Sequence, residues 1–284
     1  MLQIGSKSKG NQDASWQALL TWLRARRNVI VLTSGGVDSC LLLAAAARSG
    51  ANKILAVTAD SPSLAREELR RVASFVEFLG IEHSILQTEE LQDSRYVENS
   101  GDRCYFCKKA LYEAVERLLP TLRAQYEEFV IVDGTNSDDL LDHRPSLPAS
   151  REHGVRHPYV ELGINKSTIR DMARTQGLPF WNKPAMACLS SRIQDGISVS
   201  QEKLRRVEAA EEVLRSCGLT IARVRYHESG SGDFARTIAR IEVSLDEIPI
   251  VADTKHRTLI IDSLRLLGFD HVTLDLAGYR KGNR

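Results

Sequence analysis

From residue 28 onward the sequence alternates short β-branched runs with Ala- and Leu-rich stretches, and that alternation is its strongest constraint on the fold. NVIVLT (28–33) has the character of a buried strand, and VDSCLLLAAAARSG (37–50) that of a helix stopped by glycine. KILAVTAD (53–60) predicts a second strand, LAREELRRVASFVEFLG (64–80) a second helix and IEHSILQ (81–87) a third strand. A helix at about 104–119, a strand in EFVIVDGTN (128–136) and a helix in KSTIRDMARTQGLP (166–179) continue the series. Repeated βα units require a parallel sheet covered on both faces, an α/β doubly wound fold.

The pattern changes at IQDGISVS (193–200), which is polar and rich in turn formers. We therefore expect an α/β domain over residues 1–194 and a smaller α+β domain over 195–284. The second contains a charged helix (201–218), strands TIARVRYH (220–227) and TIARIEV (237–243), a helix near 254–268 and HVTLDL (271–276). At 284 residues the chain can bury a core without covalent staples. Its 38 Lys and Arg balance 37 Asp and Glu, leaving no overall field that would favour a long polyanion. The N-terminal MLQIGSKSKGNQDASW has no apolar signal segment, and no run of 18 apolar residues occurs, so a cytoplasmic setting without membrane partners is expected. Five irregularly spaced cysteines suit thiolate chemistry or metal ligation better than a disulfide framework.

Ser34-Gly35-Gly36-Val37-Asp38-Ser39 falls where the first strand meets the first helix. Glycines there let backbone N–H groups approach a phosphate, the helix start adds partial positive charge, and the hydroxyls of Ser34 and Ser39 add donors. The stretch lacks the lysine of a Gly-x-x-x-x-Gly-Lys-Ser/Thr loop and is not Gly-x-Gly-x-x-Gly. It also suits a plain strand-to-helix turn.

Cys104 and Cys107 form a C-x-x-C. Cys40 and Cys217 lie in apolar helical surroundings and suit small buried side chains. Cys188, in KPAMACLSSR (183–192), has Pro184, two serines and Arg192 for neighbours, a setting for a thiolate or an anionic ligand. Three cysteines can hold three irons of a 4Fe-4S cluster and leave the fourth iron open. A zinc site needs a fourth ligand, for which His143, His153 and His157 are candidates. A thioredoxin-like pair lacks its fold context.

SGGVDS resembles the signature of the PP-loop ATP pyrophosphatases, of the adenine nucleotide alpha hydrolase-like fold. The resemblance implies that Ser34, Gly35, Gly36, Asp38 and Ser39 hold the phosphates of ATP with Mg2+ close by, and that Asp60 and Ser61 border the nucleotide. DGTNSDDLLDHRP (133–145), GVRHPYVELGINKSTIR (154–170), LPFWNKPAMACLSSR (178–192) and VTLDLAGYRKG (272–282) are similar to segments of the LarE family, over nearly the whole chain. That family converts both carboxylates of pyridinium-3,5-biscarboxylic acid mononucleotide to thiocarboxylates in nickel-pincer nucleotide synthesis. Some members sacrifice the cysteine of the ACLSSR segment and end with dehydroalanine; others carry a CxxC and bind a 4Fe-4S cluster. The resemblance places this chain with the cluster type, with Cys104, Cys107 and Cys188 as ligands, Asp38 and Cys188 as catalytic residues, and a homo-oligomeric state. IQDG (193–196) departs from the proline and aromatic residues of relatives.

Arg223 and Arg225 share one face of a strand and, with Arg192, are candidates for gripping a substrate phosphate. Arg205, Arg206 and Arg280 are further candidates, and a solvated charged face is the plain alternative. Gly134 and Asn136 end the fourth strand at the ligand-binding edge, followed by Asp138, Asp139 and Arg144, which serve either a ligand or a helix cap. The rival functions are a tRNA-thiolating PP-loop enzyme, disfavoured by near-neutral charge, a non-catalytic zinc-stabilised nucleotide-binding protein, and an amidating synthetase, which gives three cysteines no role.

Overall fold

The structure is a computed structural model that describes residues 5–125, 128–141, 146–184, 187–230 and 234–280. His143 and Arg144 lie outside the described residues. The chain forms two compact units, one of residues 1–89 with 104–186 and the other of residues 90–103 with 187–284.

The first unit runs α1 (Gly5–Arg24), β1 (Asn28–Leu32), α2 (Val37–Ser49), β2 (Lys53–Asp60), α3 (Arg66–Phe78) and β3 (Glu82–Gln87). After the excursion into the second unit, which carries the single turn α4 (Ser94–Val97), come α5 (Arg103–Gln125), β4 (Val130–Val132), α6 (Ser146–Glu152), α7 (Pro158–Glu161) and α8 (Lys166–Thr175). The strands form a parallel sheet in the order β3-β2-β1-β4. β1 shows why its sequence is apolar throughout. Val29 and Val31 enter a core with Trp16, Leu19, Leu41 and Ile169, while Ile30 and Leu32 enter a second with Tyr112, Val115 and Leu122. The α/β doubly wound expectation is met.

Helix α1 was not expected. Its apolar positions are confined to its second half, where Trp16, Leu19 and Leu23 recur at helical spacing and bury on α2. β4 is shorter than the predicted 128–136, its parallel pairing with β1 running only from Val130 to Val132.

The second unit contains α9 (Gln201–Ser216), β5 (Ala222–Ser229), β6 (Arg236–Val243), α10 (Ile248–Ala252), α11 (Thr254–Leu266) and β7 (His271–Leu274). β5 pairs antiparallel with β6, and β6 parallel with β7. Pairing of Val224 with Ile241 and of Arg225 with Arg240 puts apolar residues on one face and charged residues on the other. This unit also takes in residues 187–194 and 90–103, which the sequence alone assigned to the first domain. Among the described residues no helix is long and apolar enough to cross a membrane.

Candidate functional site

The glycine turn follows β1 at the C-terminal edge of the parallel sheet, where open α/β folds bind ligands. Gly35 has φ +76°, and a Cβ there would lie 2.7 Å from Val72 Cγ2, so both conformation and space demand glycine. Ser34 N–H donates to Ser39 Oγ at 3.2 Å, and Ser39 Oγ donates to Gly36 O at 3.2 Å, which closes the turn on itself. Ser34 is exposed and Ser39 buried. Gly36 caps α2 without a side-chain partner, leaving the first N–H groups of that helix to a ligand.

Two lysines that no motif announced complete the loop. Lys166 Nζ donates to both carboxylate oxygens of Asp38 at 2.5 Å. Lys166 opens α8, the helix end where a cation is disfavoured by the dipole, so its placement there serves the loop rather than the helix. Burial pushes the Asp38 carboxyl above the usual aspartate value, against the pull of Lys166. Lys183 Nζ donates to Gly35 O at 3.0 Å and pairs with the carboxylate of Glu68. Both are ammonium groups set where triphosphate charge would collect, the role a P-loop lysine plays elsewhere.

Gly134 approaches the same loop from β4. A Cβ on it would stand 2.7 Å from Ser39 N and 3.0 Å from the Asp38 carbonyl carbon. Asn136 is buried and serves a capping box, its Oδ1 accepting from Asp138 N–H and its Nδ2 donating to Asp139 Oδ2, each at 3.0 Å. Asp138 accepts from Lys166 N–H at 3.0 Å. Asp60 pairs with Arg66, and Ser61 Oγ accepts from Ser63 N–H at 2.9 Å.

Behind Gly134, Asp133 is buried and accepts from His157 Nδ1 at 2.8 Å, with Lys108 Nζ 3.5 Å away. Burial opposes its ionisation, but Lys108, His157 and Thr135 together hold the carboxyl well below the ordinary aspartate range. His157 Nε2 lies 3.0 Å from Ser150 Oγ, and His153 Nδ1 2.6 Å from Glu116. Of the three histidines proposed as zinc ligands, His153 and His157 are thus engaged in the first unit's polar framework.

Cys104 and Cys107 stand one turn apart on α5 and are partly exposed. Cys188 is exposed. Its carbonyl accepts from Ser191 N–H at 3.0 Å, Ser191 Oγ at 2.7 Å and Arg192 Nη1 at 3.0 Å, so the thiol projects from a fixed backbone. Cys40 is buried, its thiol pushed up to about 12 by that burial. Cys217, which ends α9, is half-buried rather than enclosed. Among the described residues no group of three His, Cys, Asp or Glu is gathered to hold a metal ion.

The charged sheet face of the second unit is not a solvated surface. Arg192 and Glu211 are each 2% exposed and meet at 2.8 Å. Arg225 donates through Nε and Nη2 to Glu242, at 3.1 and 3.0 Å, and through Nη1 to Ser191 O at 2.7 Å. Arg240 joins Glu242 at 2.9 Å and Asp275 at 2.5 Å. Arg223 is buried, lies over the Tyr279 ring, and has its pKa lowered by burial and by Arg192. Among the described residues this cluster brings Arg192, Arg223, Arg225 and Arg240 together with Glu211, Glu242 and Asp275, and Arg215 also stands 3.8 Å from Glu211. Arg206 belongs elsewhere, bonded to Glu202 and Gly268 O, and Arg205 is exposed on α9.

A parallel sheet that presents a glycine turn, a half-buried acid and two lysines at its carboxyl edge defines a PP-loop enzyme that uses ATP. The asparagine synthase family profile matches residues 16–99, the span that carries the loop. Over 265 residues the chain is 34% identical to pyridinium-3,5-bisthiocarboxylic acid mononucleotide synthase of Lactiplantibacillus plantarum, covering 93% of this chain and 91% of that protein. It therefore belongs to the LarE family. An uncharacterised protein of Synechocystis is 38% identical over 89% of this chain and 90% of its own length. An uncharacterised protein of Methanocaldococcus jannaschii shares 27% identity over 89% of this chain and 91% of its own.

Proposed function

We propose that the protein is an ATP-dependent sulfurtransferase that converts the carboxylates of pyridinium-3,5-biscarboxylic acid mononucleotide to thiocarboxylates. The observation that carries this reading is the exposed Cys188 thiol on a backbone pinned by Arg192, the residue that also enters the buried arginine cluster. A nucleotide substrate brings one phosphate for guanidiniums to grip, and Arg192, Arg223 and Arg225 are assigned that task.

A carboxylate resists attack by sulfur because its leaving group is poor. Its oxygen attacks the α-phosphorus of ATP, and pyrophosphate departs held by the Ser34–Ser39 turn, Lys166 and Lys183; Mg2+, when bound, would be held beside Asp38 and would supply further positive charge to the phosphates. Sulfur then attacks the acyl carbon, and AMP leaves with the original carboxylate oxygen. Lys166 and Lys183 neutralise the charge that develops on the departing phosphates.

Cys104, Cys107 and Cys188 would hold a three-cysteine 4Fe-4S cluster, for which thiolates are the soft donors required. Such a cluster, when bound, supplies an anionic sulfide that can be replaced after each turnover. The test is anaerobic reconstitution, followed by assay of iron, acid-labile sulfide, pyrophosphate and thiocarboxylate product. About four irons per chain, lost in Cys107→Ala, support the cluster; product formed without iron, with Cys188 converted to dehydroalanine, overturns it and leaves the sacrificial route. Absence of both pyrophosphate and thiocarboxylate refutes the function itself.

A further inference from the structure

Asn99 is buried and follows the C-cap of α4 with φ +59°, the left-handed region that asparagine enters more readily than other residues besides glycine. Such a conformation persists where its surroundings enforce it. Here the enforcement comes from the side chain. Asn99 Nδ2 donates to Gln194 O and Ile197 O at 2.9 Å, so one amide gathers the turn that follows the ACLSSR segment.

The Oδ1 of the same amide accepts from Arg103, whose Nη1 also donates to Ser190 O at 3.0 Å. Arg103 is buried, and both acceptors are neutral. Among the described residues no carboxylate lies within ion-pairing distance of it. A buried guanidinium without a countercharge is costly and calls for a reason other than fold stability. Tyr96 OH lies 2.5 Å from Ser190 Oγ, and Val199 N–H donates to Val97 O at 2.8 Å. Residues 96–103 are thereby fastened to residues 190–199 at several separate points. Cys188 lies two residues before Ser190, and Arg103 is the first residue of α5, the helix of Cys104 and Cys107.

We propose that Asn99 and Arg103 are positioning residues for sulfur delivery, a clasp that fixes the Cys188 turn to the stretch leading into the CxxC helix. The inference rests on the sulfurtransferase reading. The clasp lies within the second unit and the phosphate loop within the first, so the clasp acts on the sulfur step and not on adenylation.

The test compares wild type with Arg103→Gln and Asn99→Gly, the latter keeping left-handed freedom while deleting the amide. Pyrophosphate release, thiocarboxylate formation and hydrogen exchange over residues 189–197 are read on the same samples. In both variants we expect pyrophosphate release within about twofold of wild type, product formation lower by about tenfold to a hundredfold, and faster exchange confined to 189–197. A common fall in both rates would reduce the clasp to a structural element and overturn the inference. So would unchanged exchange in both variants, whatever the substrate. If wild type itself gives no thiocarboxylate, the functional reading fails, and the clasp is then decided by exchange alone.

Discussion

Lys166 Nζ stands 2.5 Å from each carboxylate oxygen of Asp38, joining the first turn of α8 to the first turn of α2 across the phosphate loop. Each partner is in a place that costs it something: the lysine sits at the positive end of a helix, and the acid is largely desolvated.

Asp38→Asn separates function from stability. A carboxyl whose folded pKa is raised binds protons more readily folded than unfolded, so stability falls as pH rises from the unfolded value of about 3.9 through the folded pKa. Removing that acid removes the penalty. We expect Asp38→Asn to melt no lower than wild type at pH 7 while pyrophosphate release falls by about a hundredfold. A melting temperature well below wild type would show that the pair is structural.

Gly134→Ala tests the approach of β4 to the loop. A methyl group 2.7 Å from Ser39 N has only backbone to displace, so the loop must shift. The expected cost is about 1–3 kcal/mol of stability, with a raised KM for ATP. Denaturant unfolding and ATP titration check the two effects separately.

Asp133→Asn tests the buried Lys108–Asp133–His157 group. The depressed carboxyl contributes stability that is fully present above about pH 4 and lost as pH falls toward the lower folded value. Asparagine leaves Lys108 without its charge partner, at a cost of about 3 kcal/mol near neutrality. The gap between variant and wild type should narrow as the pH is lowered below about 4, as followed by unfolding at a series of pH values.

Alkylation orders the cysteines. Cys188 is exposed, whereas the Cys40 thiol is enclosed and pushed up to about 12. With iodoacetamide at pH 8, Cys188 should be modified first and Cys40 only after unfolding. Peptide mass spectrometry reads the order directly, and early labelling of Cys40 would contradict the packing of α2.

The sequence carried the sheet because β1, β2 and the helices between them obey local rules of period, glycine stops and apolar runs. It carried the loop because Gly35, with its positive φ and the Val72 side chain against it, and Gly134, against the Ser39 backbone, both need glycine. Lys166 and Lys183 were invisible, since each reaches the loop from a distant element and no spacing marks a single lysine. Alternation put Arg223 and Arg225 on one face but could not distinguish solvent from burial, which depends on Glu211, Glu242 and the 187–194 segment folding over them. Asn99 gave no signal, because a left-handed asparagine looks like any other asparagine in a polar stretch.

The second unit is assembled from two pieces of chain with residues 104–186 between them. During synthesis the first piece must wait, its Tyr96 and Asn99 unsatisfied, until the ACLSSR segment and the strands beyond it emerge. Closing so long a loop adds only logarithmically to the entropic cost of folding but makes the step slow. The unit is therefore expected to be the last to form, and residues 187–284 expressed alone would lack part of their own interior.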